Sequence, residues 1–242
     1  MERKVTLLQR TQGALASLDI ESALPEAVLG DDLGIDSQEL VCIASDLENL
    51  FSIEIKDDDL SRDMSVLQLA MFISRKLAAR HRIGEFDYQL YEDVTIAAPL
   101  AAVYEALFDV DKWPAKLPHV RGIRKRYDDG CYQEFDMDVQ GENGAVMAVH
   151  SIRRCQDDRI RFFQPVPPKF MQHHCGEWIL QPLQESLTHL ATRHEWRLAA
   201  NVDELFPSRN GVPSAKGVEL WLAGHARTAL AQWKTNLEGG AA

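Results

Sequence analysis

The chain has 242 residues, 45% of them hydrophobic, with a formal charge of −11: apolar content for two modest cores, and too acidic a balance for duplex nucleic acid or an anionic membrane. Residues 1–82 hold 9 basic against 15 acidic side chains and residues 83–242 hold 17 against 22, so the exclusion applies to both halves, and a basic protein patch suits either. Cys42, Cys131, Cys155 and Cys175 form no CxxC pair, the Met-Glu-Arg-Lys start is no secretory leader, and no apolar run is long enough to span a bilayer, so a soluble protein with reduced thiols in a cytoplasm is expected.

Residues 2–16 read as a helix with Val5, Leu8 and Leu15 on one side, followed by a long connection through Pro25 and Gly30. Then comes Leu33-Gly34-Ile35-Asp36-Ser37-Gln38-Glu39-Leu40. Asp36 is a good N-cap and Glu39, three residues on, completes a capping box, which predicts Ser37 in the first turn, exposed and pointing away from any core. The helix carries Leu40, Val41, Ile43, Ala44, Leu47, Leu50 and Phe51 at helical spacing, with Glu39, Asp46 and Glu48 on an acidic wet side. Asp57-Asp58-Asp59-Leu60 is short enough for one or two helical turns, and Ser65 caps a last helix with Val66, Leu69, Ala70, Ile73 and Leu77 at three-four spacing.

Taken alone, Asp-Ser ahead of an apolar run is a plain helix cap. With its flanks it resembles the second helix of acyl carrier proteins, and the resemblance extends over roughly residues 1–82. It implies a small bundle of four helices, one of them short, with 4'-phosphopantetheine attached to Ser37 by a phosphopantetheinyl transferase. Gln38 stands where that family usually has a hydrophobic residue.

Leu77 to Asp87 holds one glycine and no Pro/Ser-rich spacer, so the linker is short and a tethered group meets the second domain at an effective concentration of about millimolar. From Tyr88 the sequence alternates. Glu92–Ile96 reads as a strand, Pro99 opens a helix with Val103, Leu107 and Val110, and that helix runs into Trp113-Pro114. Five further strands are expected, with turn signals at 128–130, 143–144, 156–158, 165–168 and 185–186: an antiparallel meander. A final helix from about Ser214 carries Val218, Leu222, His225, Ala226, Ala229, Trp233 and Leu237 and stops at Gly239-Gly240.

This order of elements, with Ile96-Ala97-Ala98-Pro99 and Asp111-Lys112-Trp113-Pro114, resembles the START-like (SRPBCC) polyketide cyclase/dehydrase superfamily, nearest its aromatase/cyclases, over roughly 88–238. The expected class is α+β, a carrier bundle at 1–82 and a helix-grip domain at 88–242 whose curved antiparallel sheet holds a long C-terminal helix. The resemblance implies a cavity between that helix and the sheet, so lining residues follow strand alternation. Alternation places Phe135, Met137 and Val139 opposite Tyr132, Glu134, Asp136 and Asp138, the acidic row facing solvent. It groups Met147, Val149, Ser151 and Arg153, then His174 and Trp178, then Leu190, Thr192, His194 and Trp196.

Aldol closure of a poly-β-ketone requires removing a proton between two carbonyls, holding the enolate, and losing water. Histidine suits the proton transfers and a buried arginine the enolate oxygen. Arg153, His194 and His174 are therefore the catalytic candidates, with Trp113, Met147, Val149, Ser151, Trp178, Thr192, Trp196 and Leu222 as substrate-binding walls. The resemblance places an inward arginine at Arg153 or Ser151, and Val120, with His119 beside it, where family members often have a tyrosine. Arg153 reads equally as a cap on a sheet edge, and His194 as a packed strand residue. His173 and His174 point to opposite faces and do not share a metal ion, so none is expected. Arg121, Arg124, Lys125 and Arg126 form a basic cluster, either a solvated strand edge or a receiver for the acidic carrier face.

The function these readings support is a polyketide didomain that tethers a chain on Ser37 and promotes aldol cyclisation with dehydration, working with a polyketide synthase ketosynthase. The alternatives are a non-catalytic module that shields or presents the carrier-bound chain, and a dehydratase or thioester-processing domain acting on a non-aromatic chain.

Overall fold

The protein is described by a computed structural model covering residues 6–18, 20, 23–56, 58–79, 86–140, 146–156, 158–208 and 210–239. Contacts divide it into two units, Met1–His81 with Gln181–His189, and Arg82–Leu180 with Leu190–Ala242.

The first unit holds α1 (Leu7–Ala16), α2 (Ser37–Phe51) and α3 (Val66–Ala79). Each start is set by a side chain. Thr6 and Gln9 exchange bonds in a capping box, and the Ser65 backbone N–H donates to Gln68 Oε1 at 2.8 Å while Gln68 N–H donates to Ser65 Oγ at 3.2 Å. Leu15, Leu29, Ile43, Leu47, Leu69 and Ile73 form the core. On α2 only Ile43, Leu47 and Phe51 are buried, so the core stripe is narrower than its apolar residues suggest and Val41 stays 69% exposed. The stretch expected as a short fourth helix is a turn at Asp58-Asp59, with Asp57 outside the described residues, as are residues 2–5 of the expected first helix.

The second unit is built on a seven-stranded sheet in the order β1-β7-β6-β5-β4-β3-β2. β1 (Tyr88–Ile96) leads to α4 (Leu100–Phe108), a 3-10 turn at Val110–Lys112, and α5 (Trp113–Lys116). Then β2 (Val120–Asp128), β3 (Tyr132–Gln140), β4 (Val146–Gln156), β5 (Arg159–Val166), β6 (Met171–Gln184) and β7 (Leu187–Leu198) follow as a meander, before α6 (Val202–Leu205) and α7 (Ser214–Glu238). Among the described residues six strands follow α4, one more than expected, because five turns separate six strands; the turn residues Asn143, Gly144 and Asp157 lie outside the described residues.

The 25-residue α7 is fixed to β1 and α5 by named bonds. Lys234 Nζ donates to the Thr95 carbonyl at 2.6 Å, the Ala97 amide donates to Glu238 Oε1 at 2.8 Å, and Asn236 Nδ2 donates to the Lys116 carbonyl at 2.7 Å. Its inner stripe buries Val218, Leu222, Ala226, Leu230 and Trp233. The basic cluster is matched by side chains of the sheet and of the 3-10 turn before α5. Arg124 forks onto Asp138, Arg126 onto Asp136, Lys125 pairs with Asp111 and Asp128, and Arg121 bonds Gln140.

Candidate functional site

Ser37 is the first residue of α2 and is exposed. Its position is fixed from both sides. Asp36 Oδ1 accepts from the amides of Gln38 at 2.8 Å and Glu39 at 2.9 Å, and Glu39 Oε2 accepts from the Asp36 amide at 2.8 Å. Upstream, Gly34 takes φ +69°, a left-handed turn that glycine adopts without penalty, and delivers Ile35 into the core. Arg62 Nε then donates to the Ile35 carbonyl at 2.7 Å. The Ser37 hydroxyl has no partner among the described residues, and it sits at the positive end of a 15-residue helix, which favours a phosphate ester. These residues fit a phosphopantetheine arm.

Within the second unit, a cavity of about 180 Å³ opens between the sheet and α7. Its walls include Trp113, Met147, Val149, Ser151, Arg153, His174, Trp178, His194 and Leu222, all expected from strand and helix periodicity. Two expected wall residues are not among them. Thr192 is buried behind His194, and Trp196, on the same strand face, belongs to a separate core with Met171, Val218 and Leu222 and stacks on Tyr88 at 5.6 Å. Alternation fixes the face but not the depth along the strand, and Trp196 is buried in that core rather than in the cavity wall.

Arg153 is only 2% exposed. Its Nε donates to Gln133 Oε1 at 2.7 Å, Nη1 to the Leu107 carbonyl at 2.9 Å, and Nη2 to the Phe108 carbonyl. Those carbonyls end α4, where the helix leaves acceptors unpaired and carries partial negative charge. The rings of Trp113 and Phe135 lie 5.2 and 5.4 Å from the guanidinium carbon. Among the described residues no carboxylate forms an ion pair with it. Burial pulls its pKa down to about 10, which still leaves it cationic at neutral pH. The edge-cap alternative is thereby excluded: Arg153 is an inward cation with N–H capacity beyond its three protein bonds.

His174 and His194 stand in a directional chain. With Gln164 Oε1 accepting, His174 Nδ1–H donates to it at 2.7 Å, His194 Nδ1–H donates to His174 Nε2 at 3.0 Å, and the Thr192 hydroxyl donates to His194 Nε2 at 3.1 Å. Burial pushes His174 down to about 4 and, with the charge of His174, holds His194 well below the usual imidazole range. Both rings are neutral at pH 7. Phe162 meets both edge-on, seated against Gly176 across the β5–β6 pair. His173 is exposed and points away from the cavity.

Periodicity missed Phe162 and Gln164 as lining residues and treated His225 only as a member of the apolar helix face, while His119, named beside Val120 from the resemblance, does line the cavity. The signal for His225 was its place in the stripe Leu222, His225, Ala226, Ala229, Trp233, where a polar residue interrupts the buried side.

The carrier-like segment and the helix-grip domain are each similar to known proteins, through separate matches. No family model matches the chain. The acyl carrier protein of Desulforapulum autotrophicum is 42% identical over 62 residues, 26% of this chain and 80% of that protein. The granaticin polyketide synthase bifunctional cyclase/dehydratase of Streptomyces virginiae is 28% identical over 145 residues, 59% of this chain and 44% of that protein. The di-domain ARO/CYC BexL from the BE-7585A biosynthetic pathway shares the fold at a TM-score of 0.57 and 23% identity, covering 85% of this chain and 63% of that one. This chain thus spans less than half the length of the cyclase/dehydratase it resembles. Over the 62 matched residues the chain belongs to the acyl carrier protein family; its second unit has a helix-grip fold, and 145 residues of the chain are similar to a polyketide cyclase/dehydratase.

Proposed function

We propose that the protein is a polyketide-processing didomain in which Ser37, in a carrier domain at 1–82, holds a poly-β-ketone chain, and the helix-grip domain at 88–242 closes and dehydrates a ring. The proposal includes attachment of 4'-phosphopantetheine to Ser37 by a transferase, delivery of the chain by a synthase ketosynthase, and action in the cytoplasm. When attached, the arm supplies a thioester tether. Asp36 and Glu39 hold the helix start that presents it.

The observation that carries the reading is Arg153, a buried cation without a carboxylate partner among the described residues, in the wall of a mainly apolar cavity. A buried charge in that state is best matched by an anion that appears during the reaction, and an enolate oxygen is such an anion. The cavity, at about 180 Å³, suits the reacting segment of a chain rather than all of it. His194 takes part in proton transfer at the sheet wall once the Thr192 hydroxyl turns away from Nε2, and Trp113 and Trp178 flank the flat segment.

A specific observation favours the second reading, a shielding module: every ring nitrogen of the His174–His194 pair already has a protein partner. The discriminating experiment loads the holo-protein with a poly-β-ketone and follows products by mass spectrometry in wild type and Arg153→Ala. A 10²–10³-fold loss of cyclisation, with the tethered chain still bound, supports catalysis. Equal product formation by the two proteins supports shielding.

A further inference from the structure

We infer that His225 is a second proton-transfer residue of this cavity, working from the α7 wall opposite the sheet that carries Arg153, and that it serves the dehydration step. The inference rests on the polyketide-cyclising reading above.

The geometry assigns the tautomer. His225 Nδ1 lies 2.8 Å from the carbonyl of Trp221, one turn earlier on α7. A carbonyl only accepts, so Nδ1 carries the hydrogen and Nε2 presents its lone pair. Nε2 has no hydrogen-bond partner among the described residues, while the residue lines the cavity with Leu222, Ala226 and Ala229. The Trp221 indole packs on the imidazole at 4.3 Å between ring centres, which limits its rotation. The contrast with the sheet wall is direct: His174 and His194 spend all four nitrogens on protein partners, and His225 keeps one available. His119, in the turn between α5 and β2, also lines the cavity, and burial first and then the charge of His225 disfavour its protonated form.

The step balances without a co-reactant. In the β-hydroxyketone left by aldol closure, Nε2 takes the proton from the carbon beside the carbonyl, and the C–H electrons become the new C=C bond. The C–O bond breaks, and the hydroxide leaves as water by taking that proton back from the imidazolium. Arg153, on the facing wall, holds the carbonyl oxygen while it is enolate-like. Water is the only group lost, and the imidazole ends neutral as it began.

The test uses full-length holo-protein loaded with a poly-β-ketone, comparing wild type, His225→Ala and His225→Asn, each checked for folding by circular dichroism. The expected result is accumulation of cyclised, still-hydroxylated product, with dehydration slowed 10²–10⁴-fold in both variants and restored in His225→Ala by added imidazole. Dehydration at the wild-type rate overturns the inference. So does a loss in folded protein that imidazole leaves unchanged, since a packing role is not rescued by a small base. If wild type itself gives no cyclised product above the spontaneous reaction, the broader reading and this inference fail together; if wild type turns over and the variants match it, only this inference fails.

Discussion

His194 Nδ1 lies 3.0 Å from His174 Nε2 with the two rings stacked within 15° of parallel, His174 buried and His194 half-buried in the cavity wall. Two imidazoles this close share a hydrogen bond only if at least one is neutral, and burial makes both so.

Acid should therefore weaken the fold. The folded-state pKa of His174, about 4, lies below its unfolded value near 6.5, so the unfolded chain binds more protons across that window and stability rises with pH through it. The corresponding contribution is on the order of 3 kcal/mol, lost as pH falls from about 6.5 to about 4. Urea unfolding across this range should show the decline, with a shallower slope in His174→Phe. An equal slope in the variant would assign the acid sensitivity elsewhere.

Arg153→Lys should lose most activity despite keeping the charge. A lysine cannot reach Gln133 and the two α4 carbonyls together, and the fork that aims the cation is lost. A fall of at least about 10²-fold in cyclisation is expected, with a stability cost of about 1–3 kcal/mol from unpaired buried acceptors. Kinetics on loaded protein together with urea midpoints separate the two effects.

Gly176→Ala should destabilise the sheet. A Cβ there would sit 2.3 Å from the Arg193 carbonyl oxygen and 2.4 Å from Cζ of Phe162. The expected cost is about 1–3 kcal/mol, and Phe162→Leu in the same chain should recover only the part due to the ring, because the backbone clash remains. Thermal melts of the single and double variants check this.

Asp36→Ala should cost about 1 kcal/mol of carrier stability and slow the modification of Ser37, because the amides of Gln38 and Glu39 lose their acceptor and the first turn of α2 frays. Asp36→Asn, which keeps an acceptor oxygen, should restore most of the stability. Urea midpoints and the rate of mass gain report the two effects.

Much of this was legible in the sequence because the physics is local. The capping box at Asp36 and Glu39 sets the exposure of Ser37 within four residues, and period-two alternation put Arg153, His174 and His194 on one concave face. What alternation does not carry is distance along a strand, which is why Trp196 falls into a separate core and Thr192 sits behind a histidine. Partners that come from remote segments were equally out of reach. The α4 carbonyls that hold Arg153 lie 45 and 46 positions upstream. The significance of His225 depends on which nitrogen its own helix consumes, a fact of geometry rather than of pattern.

The most direct test of the central claim is intact mass before and after incubation with coenzyme A and a broad-specificity phosphopantetheinyl transferase, in wild type and Ser37→Ala. The account predicts a gain of one phosphopantetheine arm in wild type and none in the variant. No gain in folded wild type, with an active control carrier in the same reaction, would contradict it.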